Sequence, residues 1–294
     1  MVTRFLPPPP RVYTSRPTIE TGPLSVILLG LAMMVRFEQS QLSNCRPIVK
    51  EIIIDYRFRG PPRSGNGGYV CGMLAKTLDD VVEVTLLKPV PLNVSLKIIR
   101  SEDGGATLAR GEIILASAKQ TDLRLDGLAA ASFTQANYAS RATPFVEDNR
   151  DASGCFVCGP GRREGDGLRI LAGPLPDRKS DYAVYASPWV PPRDLANYDG
   201  LVAEEFIWAC LDCPTGHAIL GSKFDGTNNS ILLGRMATRI FERPRHGEAC
   251  VITAQVEDVS GRKSLAKSAL YGETGALLAY ARATWITVPR TKVT

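Results

Sequence analysis

The sequence predicts an α+β protein built from two tandem units, each an antiparallel sheet wrapped around one central helix. Three observations carry that prediction. The order strand, proline-rich loop, single helix and then several strands occurs twice along the chain. Each helix candidate is apolar at helical spacing, and the segments after it are rich in β-branched and aromatic residues bounded by glycine turns. A lone helix beside an antiparallel sheet is buried most economically when the sheet curls around it. The 294 residues, 44% hydrophobic and 22% charged, suffice for two such units with a large core.

Residues 1–45 read as a disordered or loosely attached extension. Pro7 to Pro10 hold the chain extended. The apolar run at 24–35 is shorter than the ~20 residues a spanning helix needs, and no small-residue cleavage site follows it. Met33 or Met34 is an alternative start. The first unit, 46–122, opens with the strand-like VKEIIIDYRFRG. A loop at 60–65 then leads into NGGYVCGMLAKTL, whose Val70, Met73, Leu74 and Thr77 give a helical stripe. Strands are expected at 81–87, 94–100 and 107–118, with a hairpin turn at Asp103-Gly104-Gly105. Residues 123–153 are small and polar and read as a linker with little structure. In the second unit, 154–294, a strand at 182–189 precedes a proline loop and a helix at 198–220. Strands at 230–242, 249–258, 264–271 and 277–288 follow.

The helix at 198–220 is the chemically conspicuous stretch. Val202, Phe206, Ala209 and Cys213 form a buried stripe, Glu205, Trp208 and Asp212 form another, and Pro214 breaks the helix from within. A carboxylate held inside a core needs partners or a shifted pKa, so Asp212 marks a candidate site. Glu204 and Glu205, in the first helical turn, complement the helix dipole. Asn66 is either a helix N-cap or a donor to a ligand carbonyl. His217, five residues beyond Asp212, does not share its face and reads as a satisfied or solvent-facing histidine.

Composition excludes several classes. A net charge of +5, with basic and acidic residues interspersed, argues against a nucleic-acid partner. Seven cysteines, mostly in apolar segments, fit reduced thiols in the cytoplasm rather than a disulfide framework. The pairs Cys155/Cys158 and Cys210/Cys213 invite a zinc reading. Cys213 lies on the buried stripe, however, where cysteine acts as a small hydrophobe, so no metal is expected. No P-loop, Rossmann fingerprint or G-x-S-x-G is present.

The NGGYVCGMLA helix start, the KPVPL segment read as a strand, the LDCP within the second helix, the IFERP strand end and CFVCGPGRREGDGLRI together resemble the hotdog-fold superfamily of acyl-CoA thioesterases. The resemblance, over about 48–288, is to its double-hotdog, acyl-CoA thioesterase II-like arrangement. It implies hydrolysis of acyl-CoA or acyl-carrier thioesters without a further cofactor, in lipid metabolism, by a homo-oligomer. Asp212 matches the family's helix aspartate, acting as base. The implied site adds Asn66 and Gly68 as catalytic groups and Gly67, Asp199, Gly200, Glu205 and Trp208 as substrate contacts. Backbone N–H groups at Gly68 or Gly200 would polarise the carbonyl. The family's threonine and glutamine helpers fall at Gly234 and Ala283, with Thr238 or Thr284 as substitutes if the register is slipped. The acid of the single-hotdog pattern is unmet, at Ala75 and Trp208. Two other functions stay open: a non-catalytic degenerate hotdog that binds acyl-CoA or serves assembly, and a hotdog hydratase or dehydratase.

Overall fold

The computed structural model describes residues 49–124, 126–128, 130–145, 152–176, 181–223 and 229–290. The extension at 1–45 and the alternative starts lie outside the described residues.

Eleven strands form one sheet. In the first half β1 (Val49–Ile53), β2 (Val82–Leu86), β3 (Ser95–Arg100), β4 (Ala106–Arg110) and β5 (Ile113–Gln120) accompany helix α1 (Gly67–Ala75). The second half has β6 (Gly173–Pro174), β7 (Tyr185–Trp189), helix α3 (Glu204–Lys223), β8 (Asn229–Ile240), β9 (Cys250–Ser260), β10 (Lys263–Tyr271) and β11 (Leu277–Pro289). Helix α2 (Phe133–Arg141) lies between them. The sheet order is β1-β3-β4-β5-β2-β8-β11-β10-β9-β7-β6. Leaving aside the two-residue β6, the strands of the two halves come in equivalent order from the outer ends towards β2 and β8, which is the repeat expected from the sequence. All pairings are antiparallel, and the halves fuse where Val82 to Thr85 of β2 face Thr238 to Arg235 of β8. The main apolar core runs from Ile52 to Trp285, with α1 and α3 inside it.

Several expectations are corrected. The strand foreseen at 107–118 is a hairpin: Gly111 takes a φ of +58° and turns the chain between β4 and β5. KPVPL is not a strand; it forms a loop in which buried Val90 donates its N–H to the Ser64 hydroxyl oxygen (3.1 Å). The stretch read as an unstructured linker contains α2, which starts with a capping box between Ser132 and Gln135. Before α2, the chain straps the outer face of the sheet. Leu123 and Leu128 pack there with Tyr271 and Tyr280, whose hydroxyls donate to the carbonyls of Leu128 and Leu123.

Helix α3 begins at Glu204, not at 198, and continues through Pro214. It is buried on every side from Phe206 to Ile219 rather than amphipathic, as a helix enclosed by a sheet must be. A mid-helix proline withdraws a backbone donor and disturbs the carbonyls of the preceding turn. Two hydroxyls serve carbonyls there: Ser268 of β10 donates to Leu211 O (2.8 Å) and Thr215 donates to Asp212 O (2.6 Å).

Candidate active site

Helices α1 and α3 touch backbone to backbone because α1 offers glycine at two positions one turn apart. A Cβ on Gly68 would lie 2.5 Å from Asp212 Cβ and 2.7 Å from Trp208 O, and one on Gly72 would lie 2.6 Å from Glu205 Cα. That approach brings the start of α1 onto the middle of α3. Gly68 N–H donates to Asp212 Oδ2 (2.8 Å), so the α3 carboxylate occupies one of the unpaired donors of the α1 N-terminus. Asn66 is the N-cap: its Oδ1 accepts from Tyr69 N–H (2.9 Å), while its Nδ2 donates to the same Asp212 Oδ2 (3.1 Å). Asn66 is thus an N-cap, and its amide N–H goes to the Asp212 carboxylate.

Asp212 is 2% exposed, and its Oδ1 has no hydrogen-bond partner among the described residues. Burial pushes its pKa up to about 7, against the pull of the Gly68 N–H and the Asn66 amide; the neighbouring Cys155 thiolate adds to the rise. The carboxyl is thus poised between its two protonation states near neutrality. Thr215 fixes the backbone beneath it. Its hydroxyl oxygen accepts from Trp285 Nε1–H (2.8 Å) and its O–H donates to Asp212 O (2.6 Å).

Asp212 and Asn66 open onto a cavity of about 520 Å³ at the junction of the two halves. Leu86, Ile231, Leu233, Trp285 and Val288 give it apolar walls, Gly67 lies at the start of α1, and Arg63 and Lys88 add positive charge. Its size falls in the range of small-molecule sites. A β-bulge opposite Thr284 and Trp285 leaves Gly234 out of the β8–β11 pairing and on the cavity wall. Ala283 is buried in the core. Among the described residues the buried Thr238 hydroxyl has no partner, neither it nor Thr284 lines the cavity, and no other threonine or glutamine does.

Of the residues expected from the sequence, Asp212, Asn66, Gly67 and Gly68 come together. The other four do not. Asp199 is exposed and pairs with Arg243 (2.5 Å); Gly200 sits in the same turn at φ +78°. Their segment precedes α3 instead of starting it, so it is not the counterpart of Asn66 to Gly68. Glu205 holds Lys76 (2.8 Å), and Trp208 packs on Gly72. Gly68 N–H already serves Asp212, which removes it as a free donor to a carbonyl.

The sequence reading missed two wall elements. His217 faces the cavity, stacks on Phe145 and accepts from Ala172 N–H at Nδ1 (3.2 Å), leaving Nε2 buried and unpartnered. It is not solvent-facing, and burial pushes its pKa down to about 4, so it is neutral at pH 7. The loop carrying Cys155 and Cys158 folds onto the cavity, placing Cys155 Sγ 3.8 Å from Cys213 Sγ. An aromatic cluster holds it: Phe156 packs edge-on against Phe58 (5.0 Å), which stacks on Tyr69 of α1 (4.3 Å), and Phe206 of α3 closes the group. Among these crowded thiols Cys155 is the one pulled well below the usual range, by hydrogen bonds from Cys158 and Cys213, whose own pKa values rise in consequence.

No helix among the described residues is long and apolar enough to cross a membrane. No family model matches the sequence, and no curated protein matches it either. Solved structures do. The chain is similar to a thioesterase candidate from Novosphingobium aromaticivorans, at 13% identity and a TM-score of 0.53, over 81% of this chain and 94% of that one. It is also similar to acyl-CoA thioesterase II TesB2 from Mycobacterium marinum, at 13% identity and a TM-score of 0.51, over 82% of this chain and 93% of that one. At such identities the likeness is one of fold, and it agrees with the strand order and the two enclosed helices: this chain has the double-hotdog fold of acyl-CoA thioesterase II proteins.

Proposed function

We propose that this protein hydrolyses acyl thioesters of the acyl-CoA type in the cavity between its halves, with Asp212 as general base. The observation that carries this is the Asp212 carboxylate itself. It lies on the wall of an apolar cavity, with Oδ2 tied down by Gly68 and Asn66 and Oδ1 left as an acceptor. A water on Oδ1 would lose a proton to it as its oxygen attacks the thioester carbon. The C–S bond then breaks, and the proton passes to the departing thiolate. Base assistance of this kind contributes ~10²–10⁴-fold. Gly67 N–H, at the first position of α1 and on the cavity wall, is the donor available to the developing oxyanion. The apolar walls suit an acyl chain, and Arg63 and Lys88 suit the anionic CoA portion.

A panel of acyl-CoA esters assayed for thiol release, with wild type and Asp212→Asn, tests this. Loss of about 10²-fold or more in kcat is expected for the variant. Hydrolysis that survives intact would remove Asp212 from the role. A second reading, acyl-CoA binding without turnover, is favoured by one observation: among the described residues no threonine or glutamine lines the cavity beside Asp212. Saturable binding with no thiol release from the wild type would establish it.

A further inference from the structure

The fold splits the second C-x-x-C pair and recombines it with the first. Cys210 turns its thiol to the Ile207 carbonyl (3.2 Å), away from the cavity. Cys213 meets Cys155 and Cys158, and the three buried sulfurs lie within 4.8 Å of one another. Cys155 and Cys213 stand 3.8 Å apart. For a metal–sulfur bond of about 2.3 Å, the edge of a tetrahedron is 1.63 times that length, or about 3.8 Å.

We propose that Cys155, Cys158 and Cys213 bind one soft divalent cation of the zinc class, with the fourth position directed at the cavity. Three features beyond proximity support a built site. The loop is a C-x-x-C-G turn that brings both of its thiols into the cluster. Gly159 N–H closes the turn on Cys155 O (2.9 Å), and a Cβ at Gly159 would meet that oxygen at 2.4 Å, so the turn requires glycine. Asn66 Nδ2 lies 3.8 Å from both Cys155 Sγ and Cys213 Sγ, the position of an outer donor that steadies thiolate ligands. A set of three sulfurs selects zinc-like cations over magnesium or calcium, which take oxygen ligands. The aromatic cluster around Phe156 holds the sulfurs in place before any ion arrives. A bound ion would tie the 155–158 loop to α3 beside Asp212, with its remaining position bordering the substrate space. Three protein ligands and one open position is the coordination of zinc sites that take an exogenous group.

The test uses the full chain, purified under reducing conditions without chelator. Zinc by mass spectrometry is expected at about one equivalent per chain. Addition of cobalt(II) to the metal-free chain is expected to give a thiolate-to-cobalt charge-transfer band. Cys158→Ser is expected to lose the metal on gel filtration, whereas Cys210→Ser and Cys71→Ser, whose thiols lie elsewhere, keep it. If Cys158→Ser fails to fold, the wild-type chain decides alone: zinc should raise its Tm, and a thiol-specific mercurial should release one zinc. A reduced wild-type chain with no zinc and no cobalt charge-transfer band would overturn the site, as would a folded Cys158→Ser variant with full zinc. A Cys155–Cys213 disulfide persisting under those reducing conditions would also overturn it. Metal content is read without substrate, so its failure and the failure of thioester hydrolysis are separate results.

Discussion

Gly68→Ala is the most discriminating perturbation of the helix contact, because Gly67→Ala next to it is a matched control. At Gly68 the new Cβ would meet Asp212 Cβ at 2.5 Å, Trp208 O at 2.7 Å and Ala209 Cα at 3.0 Å. Ordinary contact begins at 3.4 Å, so the helices must separate by 3.4 − 2.5, about 0.9 Å, and two of the three obstacles are backbone. Overpacking against immobile atoms costs ~1–3 kcal/mol, here the upper end. Removing a glycine from a helix returns up to about 1 kcal/mol. The net expectation is a loss of about 2 kcal/mol. At Gly67 the obstacles are all side-chain atoms, Leu233 Cδ2 at 2.8 Å, Leu233 Cβ at 3.1 Å and Leu86 Cδ1 at 3.4 Å, so the Leu233 tip turns aside and its Cβ gives by a few tenths of an ångström. That variant should stay within about 1 kcal/mol of wild type. Urea denaturation of the three proteins measures the difference, with equal m values required for the comparison. A Gly68→Ala variant as stable as Gly67→Ala would refute the close helix contact and, with it, the placement of Asp212 on the α1 N-terminus.

Three further outcomes follow from the geometry. His217 has its folded pKa lowered to about 4 from an ordinary 6.5. Its contribution is therefore complete above pH 6.5 and is lost as pH falls through 4, a swing of about 3 kcal/mol. His217→Gln, which keeps an acceptor for Ala172 N–H, should show a shallower acid limb in denaturation midpoints measured from pH 7 to pH 4; an unchanged limb would count against a buried neutral imidazole. Thr215→Val leaves Trp285 Nε1–H without its acceptor and should cost ~1–3 kcal/mol in thermal or chemical denaturation. Ser132→Ala removes the α2 cap and should cost about 1 kcal/mol, seen as faster hydrogen exchange over Phe133–Arg141.

Apolar alternation and turn glycines made most strands legible, and the twice-occurring single helix made the architecture legible. The β4–β5 hairpin was hidden because strand-forming residues flank a short Gly111 turn on both sides. Helix α2 was hidden because its cap stands in a small-residue stretch without a long apolar stripe. At the site, Asp212 and the Asn66-Gly67-Gly68 start could be picked out as a core carboxylate and a glycine-rich helix entry. Their direct contact could not be, since it spans 144 residues between Gly68 and Asp212. The grouping of Cys213 with Cys155 and Cys158 is not legible for the same reason. Cys155 and Cys213 are 58 positions apart, and the local C-x-x-C grouping of Cys210 with Cys213 pointed to the wrong partner.

The seam between β2 and β8 has a consequence for how the site is held together. The cavity takes Asn66 and Gly67 from one half and Asp212 and Trp285 from the other, and a single polypeptide supplies both. Had the halves been separate subunits, dilution would dissolve the site, and a defective copy could be rescued by mixing with a copy intact in the other half. Here the second half meets the first at the high effective concentration of a tethered partner. The cavity survives at any protein concentration, and lesions in the two halves cannot complement one another within a chain. The two halves contribute unequally, the first supplying the helix entry and the second the acid.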